Sequence, residues 1–220
     1  MKNVLAIDCA TQLLSICLKS EDNYYEATLD CGLKHSENLL KTVEMLINTA
    51  GIEKKELELL ICSEGPGSFT GLRIAMSTIK GMATGLNIPY TYIPTLDYLS
   101  WGYDYFEGAV VPVIDAKKKC FYCAVYEKGK KLSKDMDITE DNLFTFLKSY
   151  KKVLFTGPDC MKIKEDFRSG IYKDLNYFSG KSRQLLMLGL EEYKQSGAKP
   201  IGTGPVYLRK SEAEIAMFGE

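Results

Sequence analysis

The feature that most constrains this chain is a glycine-rich stretch at residues 63–73, which reads SEGPGSFTGLR. The apolar run at residues 57–62 predicts a buried strand before it, and the sequence from Leu72 onward predicts a helix after it. Three glycines and a proline, all within residues 65–71, therefore link a strand to a helix. Such a link either turns through positive φ or lets another backbone or a ligand come close.

The glycine-rich stretch has two possible roles. A strand, a glycine-rich loop and a helix N-terminus can present backbone N–H donors to a phosphate. A Walker loop, however, requires Lys and then Ser or Thr after its last glycine, and here Leu72 and Arg73 follow Gly71. The spacing G-x-G-x-x-x-G also differs from the dinucleotide fingerprint G-x-G-x-x-G. The sequence favours a structural or partner-docking turn over an autonomous nucleotide site and leaves both open.

Charge and cysteine usage limit the surroundings of the chain. The net charge of the 220 residues is −1, so no overall field draws the chain to nucleic acid or to an anionic membrane. Seven scattered cysteines do not resemble a disulfide framework, which is typical of a reducing cytosol. The apolar run at residues 4–7 is too short for a signal peptide, and no run approaches the ~20 residues of a membrane span. We therefore expect a cytoplasmic protein without membrane contact.

The single histidine, His35, excludes the common histidine-dependent metal sites. Motifs of the H-E-x-x-H or H-x-x-x-H kind need at least two imidazoles, so no metal site is predicted. His35 stands next to Ser36, which we expect to cap the following helix. The sequence favours His35 as a residue of the turn leading into that helix over a catalytic base, because no nucleophile motif accompanies it.

One local pattern occurs twice along the chain and predicts two lobes built on one plan. Each copy has an apolar strand, a polar turn that begins with Asp, and a returning strand. The copies lie at residues 4–7, 8–12 and 13–18, and again at 110–114, 115–119 and 121–126. We place the first lobe at residues 1–106 and the second at 107–220, so that the last long helix, at residues 182–195, falls in the second.

Three helices are predicted in the first lobe, at residues 36–50, 72–86 and 95–105, with Thr70 as a plausible N-cap of the second. The second helix carries a stripe of small residues beside its apolar face. Gly81 and Gly85 lie in this stripe and cost about 1 kcal/mol each in helix propensity relative to Ala. The usual compensation is close approach of a neighbouring backbone, either inside the monomer or across a subunit interface.

Two short patterns are interpreted as having no special chemistry. Cys120 and Cys123 spell C-x-x-C, but residues three apart on a strand point to opposite faces and cannot share a metal or readily form a disulfide. Basic clusters occur at residues 117–119, 130–131 and 209–210, and we interpret them as solvated turns.

Five pieces of the sequence, in order, resemble the TsaB (YeaZ) family, a subunit of the bacterial machinery that makes threonylcarbamoyladenosine in tRNA. The pieces are LAID at residues 5–8, HSENLL at 35–40, GPGSFTGLR at 65–73, DAK at 115–117 and YLR at 207–209. The glycine-rich piece is the most specific of them. Its family-motif residues are Gly65, Pro66, Gly67, Ser68, Phe69, Thr70, Gly71 and Arg73. The resemblance covers residues 1–126 well and is thinner beyond them.

The resemblance implies an α/β fold with two lobes, similar to the actin, Hsp70 and sugar-kinase ATPases, each lobe containing a mixed β-sheet. It also implies an accessory, non-catalytic role. In that family the catalytic paralogue is TsaD, which holds a metal with histidines and transfers the threonylcarbamoyl group to the N6 amine of an adenosine next to the anticodon. TsaB-like chains pair with TsaD and activate it together with a small ATPase, TsaE. They form homodimers when alone and meet tRNA only through the complex.

The resemblance further implies that helices of the first lobe bind the partner. The predicted contact residues are Leu40, Val43, Ile47, Ile74, Ser77, Thr78, Gly81 and Gly85. No resident cofactor is expected, and weak ATP or ADP binding is expected only within the complex.

The alternative is an autonomous ATP-dependent small-molecule kinase or ATPase of the same fold, with Asp8, Thr11 and Asp115 lining its cleft and carboxylates holding Mg²⁺. The turns at residues 8–12 and 115–119 contain no glycine, unlike the phosphate turns of active ATPases of this fold. The chain also departs from the family at residues 9–10, where Cys-Ala replaces the commoner Thr-Ser, and at Lys117, where Arg is common. A peptidase is disfavoured because no histidine set or nucleophile triad accompanies it.

Overall fold

The structure, a computed structural model, describes residues 1–32, 34–164, 169–200 and 202–209 and divides into two compact units. The first unit comprises Met1–Tyr98 and Phe178–Pro205. The second comprises residues 99–177, apart from those not described, and residues 206–209. Each unit contains its own β-sheet, so the predicted class, α/β with two mixed sheets, is confirmed.

The first unit is a five-stranded sheet covered by helices. Its elements are β1 (Asn3–Asp8), β2 (Leu13–Ser20), β3 (Asn23–Asp30), α1 (His35–Ala50), β4 (Leu59–Gly65), α2 (Phe69–Leu86), β5 (Tyr90–Pro94), the start of α3 (Thr95–Ser100), and α5 (Ser182–Ser196), with a 3₁₀ turn at Lys54–Glu56. The strand order is β3-β2-β1-β4-β5. The pairs β3-β2 and β2-β1 are antiparallel, whereas β1-β4 and β4-β5 are parallel. The strand, turn and returning strand predicted for the start of the chain are confirmed, and β3 extends them into an antiparallel meander.

Helices cover both faces of the first sheet, because successive strand residues point to opposite faces. Leu60 and Cys62 belong to the apolar core that β4 shares with α1 and α2. Ile61 lies between them in sequence and packs instead against α5, where a Cβ on Gly189 would lie 2.5 Å from its side chain. Burial on both faces accounts for the continuous apolar sequence of β1 and β4.

The second unit repeats the plan of the first sheet. Its elements are β6 (Ala109–Asp115), β7 (Cys120–Cys123), β8 (Tyr126–Glu127), β9 (Lys130–Lys131), β10 (Met136–Thr139), α4 (Glu140–Phe146), β11 (Val153–Thr156) and β12 (Ile171–Lys173), with 3₁₀ turns at Leu147–Ser149 and Cys160–Lys162. Its main strand order is β10-β7-β6-β11-β12, again with two antiparallel pairs followed by two parallel pairs. The predicted duplication of the opening pattern is therefore present.

The two units differ from the predicted lobes at residues 1–106 and 107–220. The chain passes from the first unit to the second at Tyr98, inside α3, and returns to the first at Phe178. The physical reason is α5, whose Leu185 and Leu186 are fully buried and which packs across the first sheet. The sequence order had assigned this helix to the second lobe.

Several predicted element ends are corrected by the structure. Helix α1 begins at His35 without a side-chain cap, so Ser36 is not its N-cap. Helix α3 ends at Ser100 and does not continue to Tyr105. Strand β12 spans only Ile171–Lys173, and residues 205–207 form no regular element. The 3₁₀ turn at Cys160–Lys162 does not continue as a helix to residue 164, where this described range ends. None of the helices in the described ranges is long and apolar enough to cross a membrane.

Candidate functional site

The glycine-rich loop between β4 and α2 docks on the turn between β1 and β2. The backbone N–H of Ser68 donates to the carbonyl oxygen of Ala10 at 2.6 Å. A Cβ on Gly67 would lie 2.4 Å from that same oxygen, and a Cβ on Gly71 would lie 2.0 Å from the carbonyl oxygen of Cys9. The two glycines are therefore needed because the backbones of the loop and the turn touch.

The start of α2 is fixed by the same loop. Ser68 is the N-cap, and its Oγ accepts from the backbone N–H of Gly71 at 3.2 Å. Thr70, which the sequence had favoured for this role, lies inside the helix and is exposed. The guanidinium of Arg73 stacks over the ring of Phe69 at 3.9 Å from the ring centre. Loop residues thus fix where the helix begins and how it leaves the sheet.

The geometry of the loop favours a docking turn over a phosphate cradle. A phosphate loop aims free backbone N–H groups at an anion. Here the N–H of Ser68 and that of Gly71 are both used within the chain, by Ala10 and by the Ser68 side chain. The carbonyl oxygens of Cys9 and Ala10 also lie against the loop, where they would repel an anion.

Asp8 and Thr11, two residues predicted for nucleotide binding, support the β1-β2 turn from within. Asp8 is only 4% exposed, and its Oδ1 accepts from the backbone N–H of Ala10 at 2.8 Å. The Oγ1 of Thr11 accepts from the N–H of Leu13 at 3.2 Å. Burial raises the pKa of the Asp8 carboxyl, although the Ala10 N–H, neighbouring hydroxyls and His35 partly oppose it. Both side chains hold the turn on which the glycine-rich loop docks.

A group of buried polar side chains surrounds Asp8 that sequence reasoning missed. Ser63 is buried in β4, and Thr95 and Tyr98 are buried at the start of α3. The Ser63 and Tyr98 hydroxyls face Asp8 and lower the pKa of its carboxyl. Within the described residues, however, these three hydroxyls and the Nε2 of His35 form no hydrogen bond of ordinary distance and angle. Burial also raises the pKa of Tyr98. The group brings together residues that are distant in sequence, so no short sequence motif predicts it.

Asp115, the third predicted nucleotide residue, lies in the second unit and is neutralised by lysines. Its Oδ2 accepts from the Nζ of Lys162 at 2.8 Å and of Lys117 at 3.3 Å. Burial raises the pKa of Asp115, but the lysine hydrogen bonds outweigh it, so the net shift is downward. Asp8, Thr11 and Asp115 are thus distributed over two units, with each carboxylate already hydrogen-bonded.

No metal or disulfide chemistry is visible in the ranges that the structure describes. They contain no group of three or more His, Cys, Asp or Glu side chains placed to hold a metal ion. All seven cysteines are free. Cys123 is buried and Cys120 is half-buried on the same short strand, as the strand alternation predicts for a coincidental C-x-x-C.

The predicted partner surface on α1 and α2 is exposed in part. Gly81 and Gly85 are exposed, and a Cβ at either would meet no atom of the described residues within 4 Å. Ser77 is also exposed, while Ile74 and Thr78 are half-buried. Within the described part of the chain, no neighbouring backbone packs on the two glycines, and the sequence alternative of a subunit interface stays a prediction.

On α1 the predicted contact residues fall on two different faces. Leu40 is 60% exposed and belongs to the outer face, as does Met45. Val43 and Ile47 are each only 2% exposed and lie in the core of the first unit. The prediction that Val43 and Ile47 contact a partner is corrected, because the apolar stripe of α1 faces its own sheet.

Comparisons with protein families and with known proteins identify the relatives of this chain. The model of the family described as TsaD: tRNA N6-adenosine threonylcarbamoyltransferase matches residues 30–217. The tRNA threonylcarbamoyladenosine biosynthesis protein TsaB of Bacillus subtilis (strain 168) is 28% identical over 222 residues, covering 96% of both chains. The protein of the same name from Escherichia coli (strain K12) is 32% identical over 129 residues, which is 58% of this chain and 56% of that protein.

Solved structures agree on the fold. An uncharacterized Pseudomonas aeruginosa protein with similarity to peptidase YEAZ superposes with a TM-score of 0.79 at 22% identity, covering 95% of this chain and all of that one. YeaZ from the same organism gives a TM-score of 0.75 at 21% identity, with 94% and 100% covered. These likenesses show the same fold over nearly the whole length. The chain therefore belongs to the family that the TsaD model describes, and within it to the TsaB (YeaZ) type.

Proposed function

We propose that this chain takes part in the biosynthesis of threonylcarbamoyladenosine in tRNA as a non-catalytic subunit. It pairs with a TsaD-type catalytic paralogue and, together with a TsaE-type ATPase, activates that paralogue. When alone, it pairs with a second copy of itself through the same surface. The names of its relatives support the pathway, and the exposed small-residue stripe of α2 supports the role.

The observation that carries the proposal is the pair of open glycines on α2. Gly81 and Gly85 each cost the helix about 1 kcal/mol relative to Ala, and nothing inside the described chain uses the space they leave. Close packing of a helix from another chain requires such small residues, because they let two backbones approach. A partner helix explains both glycines at once.

An apolar residue on α1 extends this surface. Leu40 is 60% exposed on α1, and α1 contacts α2. An exposed large apolar side chain beside a stripe of small residues is typical of an interaction surface. The proposed surface, named here the α1/α2 face, comprises Leu40, Ile74, Ser77, Thr78, Gly81 and Gly85.

The remaining features fit a supporting subunit better than an autonomous enzyme. The one histidine of the sequence is buried at the start of α1. The Asp8 carboxylate accepts from the N–H of Ala10 in its own turn, and the Asp115 carboxylate accepts from Lys117 in its turn and from Lys162. The glycine-rich loop is used to seat α2 on the β1-β2 turn. The same loop orients α2 and thereby the proposed surface on it. In this proposal the family motif serves to place the surface and is not itself a binding site.

The test replaces both glycines by leucine in the full chain. Gly81→Leu with Gly85→Leu adds bulk where the structure has open space, so we expect a folded monomer with an unchanged circular dichroism spectrum. The proposal predicts that this variant no longer co-elutes with the TsaD-type paralogue in size-exclusion chromatography and no longer supports threonylcarbamoylation of tRNA in the reconstituted system. Unchanged co-elution would contradict the proposed surface.

Gln195→Leu is the matched control. Gln195 is exposed near the end of α5, on the opposite side of the first sheet. The same leucine placed there adds exposed apolar area without touching the α1/α2 face, so pairing is expected to remain. The kinase alternative is tested by calorimetry with ATP and Mg²⁺: sub-millimolar binding by the isolated chain would favour it over the subunit role.

A further inference from the structure

The turn between β6 and β7 has an unusual backbone and an unusual sequence. Lys117, Lys118 and Lys119 follow one another with φ values of 62°, 53° and 61°. All three are exposed. Left-handed backbone is adopted routinely by glycine and at times by Asn or Asp, and seldom by other residues. Three successive lysines in this region therefore store strain in a surface turn.

The base of this turn is held by a network of charged side chains. The N–H of Lys117 donates to Oδ1 of Asp115 at 2.8 Å, and the N–H of Asp115 donates to Oδ2 of Asp159 at 2.9 Å. The Nζ of Lys162 joins the two carboxylates, at 2.8 Å from each. The backbone closes the turn as well, because the N–H of Cys120 donates to the carbonyl of Lys117 at 3.0 Å. The turn is thus fixed before any ligand arrives.

Arg209 supports the turn from the side. Its Nη1 donates to the carbonyl oxygen of Ala116 at 2.9 Å, the residue just before the lysines. Its Nε and Nη2 form a bidentate pair with Asp137, at 2.8 and 2.7 Å. The guanidinium is therefore satisfied by the chain itself, and its task is to hold the turn.

The network leaves positive charge at the tip of the turn. Lys162 and Arg209 balance carboxylates at the base, and Lys117 lies 3.3 Å from Asp115. Lys118 and Lys119 make no ion pair with any residue in the described ranges. Strained backbone that is over-determined by its surroundings is concentrated at functional sites. Here the strain directs adjacent ammonium groups outward from a rigid base.

We propose that the Lys117–Lys119 turn contacts the phosphate backbone of the RNA on which the complex acts. This inference rests on the proposed function, which supplies an RNA substrate. Lysines act on phosphates as point charges and carry no base specificity, so the contact positions RNA without reading its sequence. The overall charge of −1 is compatible with this role, because a local patch at a fixed place is enough for positioning.

The test measures how tRNA affinity depends on salt. The full chain, assembled with the TsaD-type paralogue, is titrated with an unmodified, labelled tRNA transcript by fluorescence anisotropy between about 50 and 200 mM KCl. The logarithm of the tRNA association constant falls with the logarithm of the salt concentration, and each lost phosphate contact reduces the steepness of this fall by about 1. Lys118→Asn with Lys119→Asn is therefore expected to reduce the steepness by about 2. Lys118→Arg with Lys119→Arg is expected to leave it unchanged.

The control pair is Lys128→Asn with Lys130→Asn. Both residues are exposed lysines of the second unit, and Lys128 also has a positive φ, of 48°. These variants remove the same charge from another turn, so the slope is expected to stay at its wild-type value. Because Asn tolerates left-handed backbone better than Lys, the Lys118 and Lys119 variant is also expected to melt at or above the wild-type temperature. Lost binding then cannot come from unfolding.

The outcomes separate this inference from the proposed function. An assembled complex whose slope is unchanged by the Asn pair overturns the RNA contact and leaves the subunit role standing. Failure of the wild-type chain to assemble contradicts the proposed function. In that case the same tRNA titration is run on the chain alone. The RNA contact is then tested by whether the Lys118 and Lys119 variant has a weaker salt dependence than the Lys128 and Lys130 variant. If the variant with Lys118→Asn and Lys119→Asn loses ATP binding in calorimetry but keeps the wild-type salt dependence for tRNA, the turn binds free nucleotide and not RNA. That result also overturns the inference.

Discussion

The docking of the glycine-rich loop makes a sharp prediction about two glycines of one helix. A Cβ on Gly71 would lie 2.0 Å from the carbonyl oxygen of Cys9, about 1.4 Å short of ordinary contact at 3.4 Å. The obstacle is backbone in a turn that Asp8 braces, so it cannot rotate away as a side chain would. Overpacking of this kind costs about 1–3 kcal/mol, and we expect Gly71→Ala to reach about 3 kcal/mol.

Gly81→Ala is the matched change in the same helix. Gly81 is exposed, and a Cβ there meets no atom of the described residues within 4 Å. In the monomer only helix propensity changes, so at protein concentrations low enough to prevent self-pairing Gly81→Ala is expected to stabilise the protein by about 1 kcal/mol. For a chain of this size each kcal/mol moves the melting temperature by about 2–4 °C, giving a fall of about 6–12 °C for Gly71→Ala and a rise of about 2–4 °C for Gly81→Ala.

The assay is thermal and urea unfolding followed by circular dichroism on both variants and the wild type. Opposite signs for the same chemical change support the docked loop. If Gly71→Ala were as stable as Gly81→Ala, the loop would not rest on the β1-β2 turn as described, and the structural reason given for the family motif would fail.

Three further predictions follow from the same unit and from the thiols. Burial raises the pKa of Asp8, so the stability that the protonated carboxyl contributes is present below the ordinary carboxyl pKa and is lost as pH rises through the raised value. Asp8→Asn should therefore be more stable than wild type in urea titrations at neutral pH, and the stability difference between the two proteins should shrink at acid pH. A stability difference that stays constant down to acid pH would contradict this. Ser68→Ala should cost about 1 kcal/mol by removing the helix cap, whereas Thr70→Ala should change the unfolding midpoint little. In the native protein a thiol reagent should label Cys31 and Cys120 quickly and leave the other five, which are buried with raised pKa values, until urea is added; fast labelling of all seven would refute the described packing.

The α1/α2 face shows how far a helical pattern can be used. The sequence gives the spacing of apolar and small residues, and from it the stripe around Gly81 and the core face of α1 follow. It does not say which residues at the border of a stripe remain outside. Val43 and Ile47 were placed on the partner surface, but the angle at which α1 meets the sheet buries both. That angle depends on contacts between elements, which no local period contains.

The buried polar side chains around Asp8 show a second limit of prediction from sequence, which concerns functional groups. Asp8, Ser63 and Tyr98 are separated by dozens of residues and share no motif, yet parallel strand ends bring them together. The left-handed lysine turn is similar, since three lysines in a row are ordinary in sequence and unusual only in their backbone angles.

The sequence alone determined the elements and their repeated order. Continuous apolar runs predicted the strands, the single histidine restricted the metal chemistry, and the spacing within residues 65–73 indicated the family. Only the tertiary structure decided that α5 returns to the first sheet, that Ser68 rather than Thr70 caps α2, and that Gly67 and Gly71 are needed for contact with Cys9 and Ala10. The reason is physical: propensity and periodicity act over a few neighbouring residues, whereas close backbone contact and burial are set by segments that meet only after the chain has folded.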